Sequence, residues 1–223
     1  MNMDRALVVG ASGGIGAALA QELEAGGQQV TRLSRSRDGL EITDEASVAG
    51  LMARLTGPFN TVFIGTGALE IGDHRPEKTL RALDPAALTA QFATNAIGPV
   101  LVLKHLLAHL PRNAPCRVGV LSARVGSIGD NGLGGWYSYR AAKAALNQLI
   151  HTAAIEVARS HPQATVALLH PGTVATRFTE KYVGTHPTVP PEAAARNLIA
   201  VLGALTPRQT GGFFDWSGAE VAW

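Results

Sequence analysis

Short runs of apolar residues alternate along the chain with longer stretches in which apolar residues recur every third or fourth position. The short runs predict β-strands, and the longer stretches predict amphipathic helices. Strands are predicted over Ala6–Val9, Val30–Leu33, Leu40–Ile42, Thr61–Ile64, Val118–Leu121, Thr165–Leu169 and Gly212–Phe214. Helices are predicted over Gly14–Ala25, Thr94–Leu110, Ala141–Ala158 and Ala193–Leu205, with one more after the capping residue Asp44. This order predicts a doubly wound parallel sheet between two helical layers, in a single α/β domain over residues 1–223.

The composition is that of a globular domain with a sizeable core. Of the 223 residues, 46% are hydrophobic and 16% are charged, which excludes a disordered chain. The formal net charge is only +2 and no basic run occurs, so nucleic acid is not an expected partner. The single cysteine, Cys116, excludes an internal disulfide, and we expect its thiol to be buried.

The amino-terminal residues Met1–Arg5 lead directly into the first predicted strand, without the apolar core of a signal peptide. No run of apolar residues approaches the ~20 that are needed to span a bilayer. We therefore expect a cytoplasmic protein that does not associate with membranes.

A glycine-rich turn, Gly10–Gly16, lies between the first strand and the first helix. Glycines let backbone N–H groups approach a phosphate, and the helix amino terminus adds a partial positive charge. In this strand–turn–helix context the turn predicts a dinucleotide-binding Rossmann fold, the alternative being a turn that only joins strand to helix. The predicted contacts are Gly10, Ser12, Gly13, Gly14, Ile15 and Gly16.

The residues after the second strand indicate which dinucleotide is bound. An acidic residue near this point holds the ribose 2′-hydroxyl of NAD. This chain instead has Ser34 and then Arg35, which suit the 2′-phosphate of NADP, and Arg37 can assist. The alternative is that Arg35 is a solvated loop residue.

Tyr139 and Lys143 are four residues apart, so on a helix they share one face. Reduction of a carbonyl needs a hydride donor and an acid, and a tyrosine with a pKa near 10 is a reluctant acid at neutral pH. A neighbouring ammonium group lowers that pKa. The spacing therefore predicts an acid–base pair, the alternative being that Tyr139 is a core or interface aromatic residue.

Four motifs occur in order along the chain: the glycine turn, Asn95–Pro99, Tyr139–Lys143, and Pro171-Gly172 with Thr176. Together they resemble the short-chain dehydrogenase/reductase family, and the segment Gly212–Asp215 is similar to its C-factor-like oxidoreductases. The resemblance implies hydride transfer between NADP and a small or medium carbonyl or alcohol. It also implies that Tyr139 and Lys143 catalyse the reaction and that Lys143 holds the nicotinamide ribose. Asn95 would link Lys143 to solvent through a water molecule. The residues expected near the nicotinamide are Pro171, Gly172, Val174 and Thr176.

The chain departs from the family pattern at the expected adenine side of the cofactor. It has Gly65-Thr66-Gly67 where the family usually has Asn-Asn-Ala, a sequence still small enough for the adenosine ribose. The helix that often follows the second strand is missing, because only residues 34–38 precede Gly39. Glu41 and Ile42 are expected to replace the pair that touches the adenine.

The family's catalytic serine, in a Ser-x-x-Gly motif, is also displaced. Three residues before Gly126 stands Ala123, and Ser122 comes one residue early. Because a shift of one residue turns a strand side chain to the opposite face, we expect Ser122 to point away from the nicotinamide. Ser122 remains a candidate if the strand bulges or has ended there, and Ser127 is another possible donor.

The remaining candidates are weaker. His105 and His109 have a metal-ligand spacing but lack a third ligand, so a solvated or packed helix face is favoured. His170 is expected to be structural. We expect the substrate to be surrounded by Tyr137 and by the loop Arg177–Pro191, with Phe178, Tyr182 and Val183. The resemblance implies a homodimer or homotetramer that pairs the helices Thr94–Leu110 and Ala141–Ala158. A dinucleotide-binding signalling protein with little turnover is the alternative function.

Overall fold

The computed structural model describes residues 4–184 and 187–223. These residues form one six-stranded, fully parallel sheet with the strand order β2-β1-β3-β4-β5-β6. The strands are β1 (Arg5–Val9), β2 (Gln29–Leu33), β3 (Thr61–Ile64), β4 (Cys116–Leu121), β5 (Ala164–His170) and β6 (Phe213–Asp215). The doubly wound parallel fold predicted from the alternation is therefore confirmed.

Helices cover both faces of this sheet. They are α1 (Gly14–Ala25), α2 (Arg35–Asp38), α3 (Glu45–Met52), α4 (Pro85–Phe92), α5 (Gly98–Leu106), α6 (Tyr137–Ser160) and α7 (Pro191–Ala204). A π-helical turn, Ala93–Ile97, joins α4 to α5 without a break. Helices α1 and α7 pack on one face, with Ala6 and Val8 of β1, while α3, α5 and α6 pack on the other, with Leu7 and Val9.

Local sequence explains where several helices begin. The Asp44 carboxylate accepts hydrogen bonds from Ala46 N and Ser47 N at the start of α3. Asp84 caps α4 in the same way, and Pro85 occupies the first turn, where its missing N–H is not needed. These caps satisfy N–H groups that have no partner inside the helix.

The predicted strand Leu40–Ile42 is wrong. The Leu40 side chain is buried in the core, and the N–H of Glu41 donates to the Ser47 hydroxyl at 3.0 Å rather than to a neighbouring strand. Strand β2 is therefore the edge of the sheet in the described residues. A single helical turn, α2, replaces the longer helix that the family often carries there.

The helical segment Pro85–His109 is longer than the predicted helix Thr94–Leu110 and is strongly apolar. It is 25 residues long with a mean hydropathy of 1.4, enough by length and composition to cross a membrane. Length and composition alone are weak evidence for a membrane span, because a buried core helix of a soluble protein has the same properties. Here Val102, Leu103 and Leu106 are buried against the sheet.

Helix α6 begins four residues earlier than predicted, so Tyr139 lies within its first turn. The pattern missed this turn because Tyr137, Ser138 and Tyr139 do not repeat a simple apolar spacing. The earlier start supports the argument from spacing, since Tyr139 and Lys143 are both helical.

Gly119 in β4 lies where the sheet packs closely against Leu202 of α7. A Cβ there would lie 2.8 Å from Leu169 Cδ1 and 3.1 Å from both Leu202 Cδ2 and Phe63 Cδ1. Gly119→Ala is therefore expected to lower the free energy of unfolding by about 1–3 kcal/mol, as overpacking does. The measurement is chemical denaturation.

Gly203→Ala in α7 is the matched control, because a Cβ there meets no atom within 4 Å. It should stabilise the protein by about 0.5–1 kcal/mol through helix propensity. Equal stability changes of the two variants would contradict this account of the packing.

Candidate active site

The carboxyl edge of the sheet brings three separate loops together. A Cβ on Gly10, which follows β1 with φ +91°, would lie 2.8 Å from the carbonyl oxygen of Gly65, which follows β3. A Cβ on Gly14 would lie 2.6 Å from Cγ2 of Thr176, beyond β5. The glycine turn thus lies between the loops after β3 and β5, and these contacts leave no space for a side chain at either glycine.

The amino terminus of α1 presents open backbone donors. The cap residue Gly13 provides no side-chain hydrogen bond, and the first turn carries no acidic residue. Ser12, Gly13 and Gly14 are exposed, whereas a Cβ on Gly16 would overlap the carbonyl oxygen of Gly10. Because such N–H groups and the helix dipole favour an anion, the turn fits the pyrophosphate of a dinucleotide.

Thr66 supports the same fit. Its Oγ1 atom is buried and has no hydrogen-bond partner among residues 4–184 and 187–223. A buried hydroxyl normally finds a partner, so this orphaned group in the loop after β3 is consistent with a bound polar ligand at the same edge.

The residues after β2 differ in burial and in hydrogen bonding. Ser34 is buried, and its hydroxyl accepts the Arg37 N–H at 3.2 Å, while the Ser34 N–H donates to the Asp38 carboxylate at 2.8 Å. The Arg37 guanidinium lies 3.8 Å from Asp38. Arg35 and Arg37 are both exposed. Ser34 therefore holds the turn, and two cations are accessible to a ligand, of which Arg37 lies near Asp38.

Glu41 and Ile42 lie in the bend before α3. The Glu41 carboxylate accepts the Thr43 hydroxyl and N–H at 2.7 and 3.1 Å, and these bonds lower its pKa. Ile42 packs against Gly98, where a Cβ would come within 3.0 Å of the isoleucine side chain. The Glu41 side chain is thus held within its own bend.

Tyr139 and Lys143 lie side by side on α6 and are both buried. The Lys143 Nζ atom is 5.9 Å from the centroid of the Tyr139 ring and donates to the Leu121 carbonyl at 3.1 Å. A Cβ on Gly67 would lie 2.7 Å from Asn95 Oδ1 and 3.6 Å from Lys143 Nζ. Four of the predicted site residues therefore meet at the loop after β3.

Burial controls the protonation of this pair. It raises the pKa of Tyr139 above its ordinary value and lowers the pKa of Lys143 to about 8. The spacing of the two residues predicts that Lys143 lowers the pKa of the phenol. In the described residues the ammonium lies near the aromatic ring, and the loss of solvent outweighs its effect. The phenol therefore keeps its proton at neutral pH, which is the form that an acid requires.

Asn95 is fully buried in the π-helical turn between α4 and α5. Its Nδ2 donates to the Ala68 carbonyl at 2.8 Å and to Gln91 Oε1 at 2.6 Å, and its Oδ1 accepts the Ala68 N–H at 3.0 Å. The side chain therefore fastens the loop after β3 to the helix. π turns of this kind are frequent at functional sites.

Ser122 lies just beyond β4, and its hydroxyl donates to Asn147 Oδ1 on α6 at 2.6 Å. Both residues are buried, and Asn147 is two helical turns beyond Tyr139. Ala123 is more accessible than Ser122. The Ser127 hydroxyl is buried and accepts the Asp130 N–H at 3.0 Å. The Ser122 hydroxyl is thus engaged by Asn147.

Aromatic rings enclose Tyr139, and sequence reasoning missed one of them. Trp136 and Phe178 have ring centroids 6.2 and 6.1 Å from that of Tyr139, and Tyr182 lies 5.5 Å from Trp136. The expectation that Phe178 and Tyr182 line the site agrees with these contacts. Trp136 gave no periodic signal because it stands in a glycine-rich loop, where it adopts φ +52°.

The cover formed by Phe178 and Tyr182 is fastened to the loop after β3 by Glu70. The Tyr182 hydroxyl donates to the Glu70 carboxylate, and Lys181 Nζ donates to the same carboxylate at 2.8 Å. Tyr139 is only 5% exposed under this cover. The phenol is therefore shielded from solvent in this arrangement.

The other sequence candidates lie apart from this cluster or serve the fold. His105 contacts Glu45 at 3.0 Å, and His109 packs its ring against Phe59. Burial lowers the pKa of His170 to about 4 and raises the pKa of Cys116 to about 11. Within residues 4–184 and 187–223, no group of three or more metal-ligating side chains occurs.

The model of the short chain dehydrogenase family matches residues 4–186. The chain belongs to the short-chain dehydrogenase family. It is 32% identical to 1-hydroxy-2-glutathionyl-2-methyl-3-butene dehydrogenase of Rhodococcus sp. (strain AD45), over 99% of this chain and 100% of that protein. It is also 36% identical to C-signal of Myxococcus xanthus, over 63% of this chain and 81% of that protein.

Two solved structures have the same fold as this chain. A short-chain dehydrogenase/reductase from Burkholderia multivorans with bound NADP has a TM-score of 0.80 at 26% identity, over 99% of this chain and 100% of that one. NADPH-bound carbonyl reductase from chicken fatty liver has a TM-score of 0.80 at 23% identity, with both chains fully covered. Membership of this family identifies the chain as an NAD(P)-dependent oxidoreductase.

The displaced serine leads to a paired prediction. Ala123→Ser is expected to raise kcat, because it restores a hydroxyl at the family's serine position. Ser122→Ala is expected to lower kcat less than about tenfold, since loss of a true oxyanion donor typically costs about 10²–10³. The two variants are assayed together with NADPH and one accepted carbonyl. A hundredfold loss in Ser122→Ala, with no gain in Ala123→Ser, would identify Ser122 as the family's serine.

Proposed function

We propose that the protein is an NADP-dependent oxidoreductase that interconverts a carbonyl and an alcohol, with Tyr139 as the acid–base group. The observation that carries this proposal is the buried pair of Tyr139 and Lys143 beside the glycine turn of a short-chain dehydrogenase. A protonated phenol, a neighbouring ammonium and a phosphate-binding turn are the three groups that this reaction needs from the protein.

The residues of the carboxyl edge would hold NADP. The open N–H groups at the start of α1 would bind the pyrophosphate, with Thr66 supplying the hydroxyl that has no partner in the described residues. Arg35 would pair with the 2′-phosphate because it is exposed beyond β2. The loop Pro171–Thr176, which contacts the turn at Gly14, would lie against the nicotinamide.

The side chains of α6 then control the proton. Bound NADPH would supply the hydride for reduction, and bound NADP⁺ would accept it in the oxidation. In the direction of reduction, the Tyr139 hydroxyl donates its proton to the carbonyl oxygen of the substrate as the alcohol forms. Lys143 stabilises the resulting phenolate, and its pKa near 8 lets it return a proton at neutral pH. Oxidation of an alcohol is the same sequence in reverse.

The walls around Tyr139 favour an apolar substrate. Trp136 and Phe178 flank the phenol, so a small or medium carbonyl with an apolar or aromatic body would suit these rings. The Rhodococcus relative, a dehydrogenase by name, favours the oxidation of an alcohol as the working direction.

A signalling protein with little turnover is the second candidate. It is favoured by the 36% identity to C-signal, and by the nearly complete cover over Tyr139. The two candidates are separated by the consumption of NADPH with a panel of carbonyls. NADPH binding without turnover of any substrate would favour the signalling protein.

We also propose a cytoplasmic homodimer or homotetramer. Val100 and Leu107 of the α5 region and Ala153 of α6 line a largely apolar surface groove. Burial of such a groove between two copies would pair the same helices that the family resemblance implies.

Replacement of the phenol tests the mechanism directly. Tyr139→Phe is expected to leave NADPH affinity nearly unchanged and to reduce kcat by at least about 10², because general acid catalysis contributes about 10²–10⁴. Lys143→Ala is expected to weaken both binding and turnover. Steady-state kinetics and NADPH titration measure both effects. A Tyr139→Phe enzyme that kept most of its kcat would exclude Tyr139 as the acid.

Cofactor preference depends on the exposed guanidinium after β2. Arg35→Ala is expected to lower NADPH affinity about tenfold or more and to leave NADH affinity unchanged, because a charge-assisted hydrogen bond contributes about 1.5–3 kcal/mol. Arg37→Ala is the control, with a smaller effect expected because its guanidinium lies beside Asp38. Equal affinities of the unmodified protein for NADPH and NADH would contradict the proposed preference.

A further inference from the structure

Glu77 is a buried acidic residue in the loop between β3 and α4, far in sequence from the helix that it contacts. Its side chain is only 6% exposed. One carboxyl oxygen accepts the Ser138 hydroxyl, and the other accepts the Ser138 N–H at 3.1 Å. Acidic residues are rarely buried unless they are hydrogen-bonded in this way.

These bonds fall at the amino terminus of α6, which lacks a local cap. The cap position is Trp136, whose side chain makes no capping hydrogen bond, and the first turn carries no acidic residue. The first N–H groups of a helix need outside acceptors, and the dipole favours a negative group there. Glu77 provides both from another part of the chain.

Glu77 also fixes the backbone just before α6. The backbone carbonyl oxygen of Glu77 accepts the Trp136 N–H at 2.5 Å. Trp136 has φ +52°, and among the described residues it is the one non-glycine residue with a positive φ. A bulky side chain persists in this conformation only when its surroundings enforce it. Arg140 assists, since its Nε donates to the Gly135 carbonyl at 3.0 Å.

Both groups held by Glu77 touch Tyr139. Ser138 precedes it directly in the chain, and the Trp136 ring packs edge-on against the phenol at 6.2 Å. We propose that Glu77 is a positioning residue, which sets the place of the Tyr139 hydroxyl by holding Ser138 and Trp136. This inference rests on the proposed role of Tyr139. A displacement of about 1 Å at a reacting group can cost about 10² in rate.

The test uses Glu77→Ala, Glu77→Gln and Ser138→Ala, with kcat, KM, NADPH affinity and thermal stability measured for each. Glu77→Ala is expected to lower kcat about tenfold or more, with NADPH affinity changed by less than about threefold. Glu77→Gln retains an acceptor of the same shape, so it should recover part of the loss. Addition of Ser138→Ala to Glu77→Ala should lower kcat no further, because the two residues act through one contact.

Asp44→Ala is the matched control, because it also removes two capping hydrogen bonds, from α3. It should lower thermal stability while kcat at saturating NADPH stays within about twofold. Glu77→Ala that lost stability but kept more than half of its kcat would overturn the inference and leave Glu77 a structural residue. If Glu77→Ala does not fold, unchanged kcat in both Glu77→Gln and Ser138→Ala would overturn it equally.

Tyr139→Phe, assayed in the same series, separates the catalytic role of Tyr139 from the positioning role of Glu77. If it keeps its turnover, the proposed function fails and the positioning role fails with it. If it loses turnover while the Glu77 and Ser138 variants keep theirs, only the positioning role is wrong.

Discussion

The structure depends on the close approach of backbone to backbone at the carboxyl edge of the sheet. Gly10 lies against Gly65 and Gly16 with no space for a Cβ, and Gly14 lies equally close to Thr176. These contacts fix the turn after β1 relative to the loops after β3 and β5. Because the contacts of Gly10 and Gly16 involve main chain, no adjustment of a rotamer can relieve a larger residue at either position. The open N–H groups of α1 therefore face one defined space.

Helix α6 brings the reacting groups to that space, and contacts distant in sequence hold it there. Lys143 is fixed to β4 through the Leu121 carbonyl, and Ser138 is fixed to the loop after β3 through Glu77. Asn95 fastens the same loop to the helical segment between α4 and α5. The loop after β3 is thus the common support of the pair and of the cofactor turn.

Burial gives the pair its chemical character. Out of water, the phenol of Tyr139 keeps its proton and the ammonium of Lys143 becomes more acidic. The aromatic cover excludes solvent, and a low-dielectric site strengthens each polar interaction that forms within it. The hydrogen bond from Tyr182 to Glu70 fastens this cover to the loop after β3.

Sequence alone predicts the fold class, because strand and helix periodicities and glycine turns are local properties of the chain. It also placed Tyr139 and Lys143 on one helix face, since a spacing of four residues is sufficient for that inference. Leu40–Ile42 was misread as a strand, because whether a short apolar run pairs depends on a neighbouring strand that the pattern does not show. Only the tertiary structure decided that Ser122 bonds to Asn147, that Trp136 packs against the phenol, and that Glu77 caps α6. These contacts join residues far apart in the chain, and their geometry follows from how the loops pack at the sheet edge rather than from any local pattern.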